Sequence, residues 1–262
     1  MSRLSHLLLF AALLIWGPSR STPLPTPVGR IQSTAAMERL RAELYLAEKQ
    51  QDQAREVQVL REIRDHRLGS GALASAVMNG IRIVDLSGVS NDRKAMASEW
   101  QAMASVYLRL GSLSEAVDAQ KRALLVLKTT NDPDLINPAL LDLLDLLLEA
   151  KRFPELKHAS DAALNSIKSS GDHHGEIRIL TIQGRGLIEQ GRPVDALSLL
   201  HLAMRDAASM KDPALQAQTL FALAQANADI HDWRAAQAYF KQGIVLAPNA
   251  EQNDPKLYGL RA

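Results

Sequence analysis

Residues 107–124 of this chain, YLRLGSLSEAVDAQKRAL, return in altered form forty residues later as LLEAKRFPELKHASDAAL (147–164). They return again as LIEQGRPVDALSLLHLAM (187–204) and NADIHDWRAAQAYFKQGI (227–244), and upstream as RLGSGALASAVMNGIRIV (67–84), with no gap. Self-similarity at one fixed period leaves few folds open, because each copy is a small supersecondary unit that buries its apolar face only by stacking on its neighbours.

The punctuation keeps the same step. Asp52, Asp92, Asp132, Asp172 and Asp212 fall on one forty-residue grid, and Pro133 and Pro213 each follow an aspartate. Asp followed by Pro suits a helix start: the carboxylate accepts from N–H groups that have no intrahelical partner, and Pro at the first helical position has no N–H to leave unpaired. The aspartates therefore read as helix caps rather than as catalytic groups. Between caps each unit carries two helical patterns. In the second unit, helix A (Arg93–Leu110) puts Trp100, Met103 and Tyr107 on one face, and Gly111 ends it. Helix B (Leu113–Lys128) turns Ala116, Ala119, Ala123 and Val126 inward. Two antiparallel helices joined by a tight turn approach closely, so the facing residues are small and the larger rings fill the space between neighbouring helices.

These residues resemble the tetratricopeptide family, whose motif sets a large residue, a Leu, a small residue and an aromatic on helix A, a Gly turn, two small residues on helix B and a closing Pro. The second unit supplies Trp100, Met103, Ala104, Tyr107, Gly111, Ala116 and Ala123. The fourth supplies Leu180, Gly184, Leu187, Gly191, Ala196 and Ala203, and the fifth Leu220, Leu223, Ala224, Ala236, Phe240 and Pro248. The period is forty rather than the family's usual ~34, as in its longer-repeat members. The third unit diverges, with Leu144, Lys151 and Leu156 at the small, glycine and first-alanine positions, and Pro138 moves the expected start of its helix A to Asn137-Pro138. The resemblance implies an all-α, right-handed α-α superhelix of about five helix-turn-helix repeats. Their expected bounds are 52–91, 92–131, 132–171, 172–211 and 212–251, with an N-terminal helix over 33–51 and a tail over 252–262. A single long helix over Ser33–Leu68 is the alternative to a turn near Asp52.

The first 21 residues, MSRLSHLLLFAALLIWGPSRS, stand apart. Arg3 precedes an apolar run from Leu7 to Trp16, which as a helix reaches only ~15 Å of the ~30 Å of hydrocarbon. A basic start, a short apolar middle and a small-residue end read as a secretory signal peptide, and an N-terminal helix docked on the body is the other reading. The segment 22–32, with three prolines in TPLPTPVG, is expected to be an extended linker. The protein is thus expected to be exported, periplasmic or extracellular, and membrane-associated only through this segment if it is not cleaved.

Composition narrows function. Lys+Arg 30 against Asp+Glu 29 gives no long-range pull toward nucleic acid. The absence of cysteine removes disulfides, thiolate metal sites and a thiol nucleophile. In GDHHGE (171–176), His173 and His174 are adjacent and point about 100° apart on a helix, so they do not share a metal-facing side. No catalytic, cofactor or metal residue is expected, and no cofactor.

In tetratricopeptide arrays the A helices line a concave groove. The resemblance places there Gln58, Arg61 and Asp65; Ser98, Gln101, Ser105 and Arg109; Leu141, Asp145 and Glu149; Arg178, Thr181, Arg185 and Glu189; and Gln218, Phe221, Gln225 and Asp229. The expected partner is a protein or extended peptide, its apolar side chains seeking Leu141 or Phe221. The plainer reading is that these rows are the wet side of amphipathic helices. A non-enzymatic binding scaffold is the expected function; a ligand- or peptide-sensing regulatory module is the rival, and a metal-dependent hydrolase using His173, His174 and Glu176 a more distant one. At the C-terminal end, Leu257, Tyr258 and Leu260 are expected to cover the last pair in part and leave a patch for self-association.

Overall fold

A computed structural model describes residues 27–89 and 91–248. Eleven helices are present among them: α1 (Pro27–Gln50), α2 (Gln53–Gly69), α3 (Leu73–Val89), α4 (Arg93–Arg109), α5 (Leu113–Lys128), α6 (Pro133–Glu149), α7 (Phe153–Ser170), α8 (His173–Glu189), α9 (Pro193–Ser209), α10 (Pro213–Asp229) and α11 (Trp233–Leu246). The described residues form two compact blocks, one ending at Ile136 and the other beginning at Asn137. The segment 1–21, expected to be a signal peptide, and the tail 252–262 with Leu257, Tyr258 and Leu260 lie outside the described residues.

The turns follow a twenty-residue rule. Left-handed backbone recurs at Gln51, Gly71, Asn91, Gly111, Asn131, Lys151, Gly171, Gly191 and His231. At most of these a Schellman pair closes the helix: Gly111 N–H donates to Leu108 O at 2.9 Å and Ser112 N–H to Tyr107 O at 2.9 Å, with the same pattern at Lys151/Arg152, Gly191/Arg192 and His231/Asp232. The residue after the left-handed one is also the N-cap of the next helix. Asp52, Asp92, Asp172 and Asp232 each accept from the backbone N–H three residues on, at 2.8–3.0 Å. One residue thus ends one helix and begins another, which fixes equal helix lengths and a forty-residue pair. At position 211 the rule lapses: Met210 is extended, and the Gln216 amide donates to Ala207 O at 3.0 Å and Met210 O at 2.7 Å in place of the missing turn.

Two elements differ from the sequence expectation. α1 starts at Pro27, inside the stretch expected as linker, because Pro at a first helical position costs no hydrogen bond. α6 starts at Pro133, not at Asn137-Pro138; Asp132 accepts from Asp134 N–H at 3.2 Å and opens the helix, and Pro138 forfeits only the bond to Asp134 O within its second turn. Near Asp52 the chain turns, with Gln51 at φ 56°, so α1 and α2 are separate helices.

The core of the block ending at Ile136 joins three consecutive helices: Val77 and Val84 of α3 meet Met103 and Val106 of α4, flanked by Leu68, Leu73, Trp100 and Tyr107. In the block beginning at Asn137, Leu200 and Ala196 of α9 pack between Ile188 of α8 and Ala222, Leu223 and Ala226 of α10. Ala116, Ala123, Ala196 and Ala203 are fully buried, the small contacts that close antiparallel approach requires. Burying Leu200 alone contributes about 1.5–3 kcal/mol, and A–B–A clusters of this kind make each pair depend on the next.

Candidate functional site

The even-numbered helices α2 to α10 are the A helices, and every charged or amide residue assigned to the groove from the sequence is at least partly exposed.

In the block ending at Ile136, α2 and α4 are joined through a buried carboxylate. Glu99 is 2% exposed. Its Oε1 accepts from Arg61 Nε at 2.8 Å, and its other oxygen accepts from Arg64. Arg64 also holds Asp65, Nε to Oδ1 at 3.1 Å. Further along, Arg109 donates to Leu68 O at 3.2 Å, and the Ser105 hydroxyl donates to Gln101 O at 3.2 Å. Glu99 was absent from the sequence-derived rows. Its signal was readable: Met96, Glu99, Met103 and Val106 share one helical stripe, and a carboxylate on an apolar stripe needs a cationic partner.

In the block beginning at Asn137, Asp145 of α6 sits beside two arginines of α8. It accepts from Arg178 Nη2 at 2.9 Å, and Arg185 Nη1 lies 4.0 Å from its other oxygen. One turn to either side, the pKa values of Asp142 and Glu149 are raised from their ordinary values. Desolvation is the main cause for both; the Asp145 charge adds to it, while Arg178 relieves Asp142 and Arg185 relieves Glu149. Both side chains nevertheless reach solvent. Glu189 lies 3.6 Å from Lys151, and the Gln225 amide donates to Asp229 at 2.7 Å.

Three apolar or hydroxyl members of the rows face elsewhere. Leu141 is buried among helices. Thr181 is buried too, its hydroxyl 3.0 Å from that of Thr219 across α8 and α10. The Phe221 ring packs on Phe240 at 6.0 Å between centroids and lies in the space beside Gly243, which turns it toward α11. The side chains left facing solvent are therefore the polar ones. His174 Nε2 lies 3.1 Å from Asp212 Oδ2, and His173 Nδ1 3.6 Å from Glu176; the two histidines belong to separate pairs at the start of α8.

No family model matches the chain, and no curated protein matches it significantly. Solved structures do. BtubC (BKLC) from P. vanneervenii superposes with a TM-score of 0.63 at 16% identity, covering 86% of this chain and 93% of that one. A putative kinesin light chain from Podosopora anserina with nearly identical TPR-like repeats gives 0.55 at 14% identity, covering 74% and 96%. The apo form of RapI gives 0.63 at 15% identity, covering 80% and 60%. At these identities the likeness is one of fold. The class is thus an all-α helical repeat. Within that class, its fold is similar to that of the solved structures with TPR-like repeats.

Proposed function

We propose that this protein is an exported, non-enzymatic scaffold that binds a protein or extended peptide along the exposed face of its A helices. The observation that carries the reading is the α6–α8 face. Asp145 lies between Arg178 at 2.9 Å and Arg185 at 4.0 Å, all three with part of their surface open, and the exposed carboxylates Asp142 and Glu149 stand one turn to either side. Such a surface offers both signs of charge to the amides and side chains of an extended segment. The N-terminal run Leu7–Trp16 supports export.

Photo-crosslinking tests the face. A crosslinking side chain at Gln225, on the A-helix face of α10, should trap the partner. The same group at Leu125, exposed on helix B of the second pair, should not. Trapping from Leu125 alone would move the binding surface to the B helices. Export is tested separately by fusing residues 1–32 to a reporter that is active only outside the cytoplasm; a silent fusion would remove that part of the reading.

A further inference from the structure

Glu99 fits a second role beyond joining α2 to α4. It is almost fully buried, and both of its oxygens are taken, one by Arg61 and one by Arg64. The two arginines are not equivalent. Arg64 has 12% of its side chain exposed and is held again by Asp65, whereas Arg61 has 39% exposed and contacts Glu99 through Nε alone. Among the described residues the two Nη groups of Arg61 make no hydrogen bond, which leaves a planar pair of donors on a partly exposed guanidinium that is already held at Nε. The neighbouring carboxylates are already engaged: Asp65 accepts from Arg64, and Glu62 accepts from the Gln58 amide at 3.3 Å. A fork fixed from behind loses little rotamer freedom when it meets a carboxylate.

We propose that Glu99 is a positioning residue that presents Arg61 to a carboxylate on an acidic side chain of the bound segment. The inference rests on the reading of the A-helix face as a binding surface, and it names the chemistry that the α2–α4 part of that face selects. Arg61 makes the contact; Glu99 acts through it. Lysine at 61 keeps the charge but loses both the fork and the Nε bond that orients it.

The probe is fluorescein-labelled hexaglutamate with an amidated C-terminus, titrated against the full chain at low salt. The expected result is measurable binding that weakens at least tenfold in Arg61→Ala, weakens in Arg61→Lys, and is unchanged in Arg205→Ala, whose side chain is 73% exposed on α9. Glu99→Asp should weaken binding in the parent but not in the Arg61→Ala background, since a purely structural role would lower both equally. A neutral Ser/Gly hexapeptide with a free C-terminus is the second arm. Binding of that peptide in place of hexaglutamate, equal binding by Arg61→Ala and the parent, or no hexaglutamate binding by the parent would each overturn the proposal. If Glu99→Asp loses its helical circular dichroism, the Arg61→Ala and Arg61→Lys comparison decides alone. Failure here with crosslinking from Gln225 intact removes only the acidic preference; loss of crosslinking removes the groove itself.

Discussion

A Cβ placed on Gly186 of α8 would lie 2.8 Å from Leu156 Cδ2 of α7. Leu156 stands where the other repeats carry a small alanine, and it is 3% exposed. The divergence of the third repeat is therefore accommodated one helix later: the side chain gained at 156 occupies the volume left empty at 186. Gly184 does the same for Leu200 and Gly80 for Met103, with a built Cβ 2.6 Å and 2.7 Å from the nearest atom.

Replacing Gly186 by Ala should destabilise the protein by about 1–3 kcal/mol through overpacking, reduced by the ~1 kcal/mol that Ala gains over Gly in a helix. Leu156→Ala should cost about 2–5 kcal/mol. The double variant should cost less than the sum by about 1 kcal/mol or more, since the new methyl enters the vacated space. Urea unfolding of all four proteins measures this, and strict additivity would show that the two residues do not share the volume.

The turns predict a contrast of sign. Lys151 holds φ 54° where related turns carry glycine, so Lys151→Gly should stabilise by about 0.5–1 kcal/mol by removing the left-handed penalty. Loss of the Lys151–Glu189 contact at 3.6 Å is worth little on an exposed surface. Gly191→Ala, at φ 72°, should destabilise by about 1 kcal/mol. Urea midpoints moving in the same direction for both would contradict the turn assignment.

Asp142 and Glu149 make stability depend on pH in a stated direction. Their pKa values are raised in the folded protein, so the folded state holds protons that the unfolded chain has released. The resulting penalty is fully present above the folded pKa values and disappears as pH falls toward the ordinary carboxylate range. Asp212 is lowered, chiefly by the Leu215 N–H, and Glu43 by Arg39; their contribution is lost only as pH falls further, through their folded values. The Asp142→Asn/Glu149→Gln protein should thus be more stable than the parent at neutral pH, with the gap narrowing on acidification toward pH 4. A gap that widens on acidification would contradict the desolvated placement.

Much of this is legible in the sequence. The aspartate grid and the glycines at 111 and 191 mark turns because backbone geometry selects those residue types, and the alanines mark close approach. The twenty-residue half-period was hidden because Asn91, Lys151 and His231 take the left-handed conformation without being glycine, so identity at those positions carried no signal. Pro138 misplaced the start of α6 because sequence shows the missing N–H but not that one lost bond is tolerated near a capped end. Phe221 was assigned outward by its register; its actual direction depends on the space beside Gly243, a partner twenty-two residues away on the next helix.

The most direct test of the central claim is the affinity of the purified partner for two charge reversals. Arg185 lies on the A-helix face, 49% exposed and 4.0 Å from Asp145, and Arg205 is exposed on helix B of the same repeat. Removing a contacting arginine at an interface costs about 1–3 kcal/mol of binding, so Arg185→Glu should weaken binding at least about fivefold with its helical circular dichroism unchanged, and Arg205→Glu should bind within about twofold of the parent. Undiminished binding by Arg185→Glu together with a loss in Arg205→Glu would place the interaction on the B helices and contradict the account.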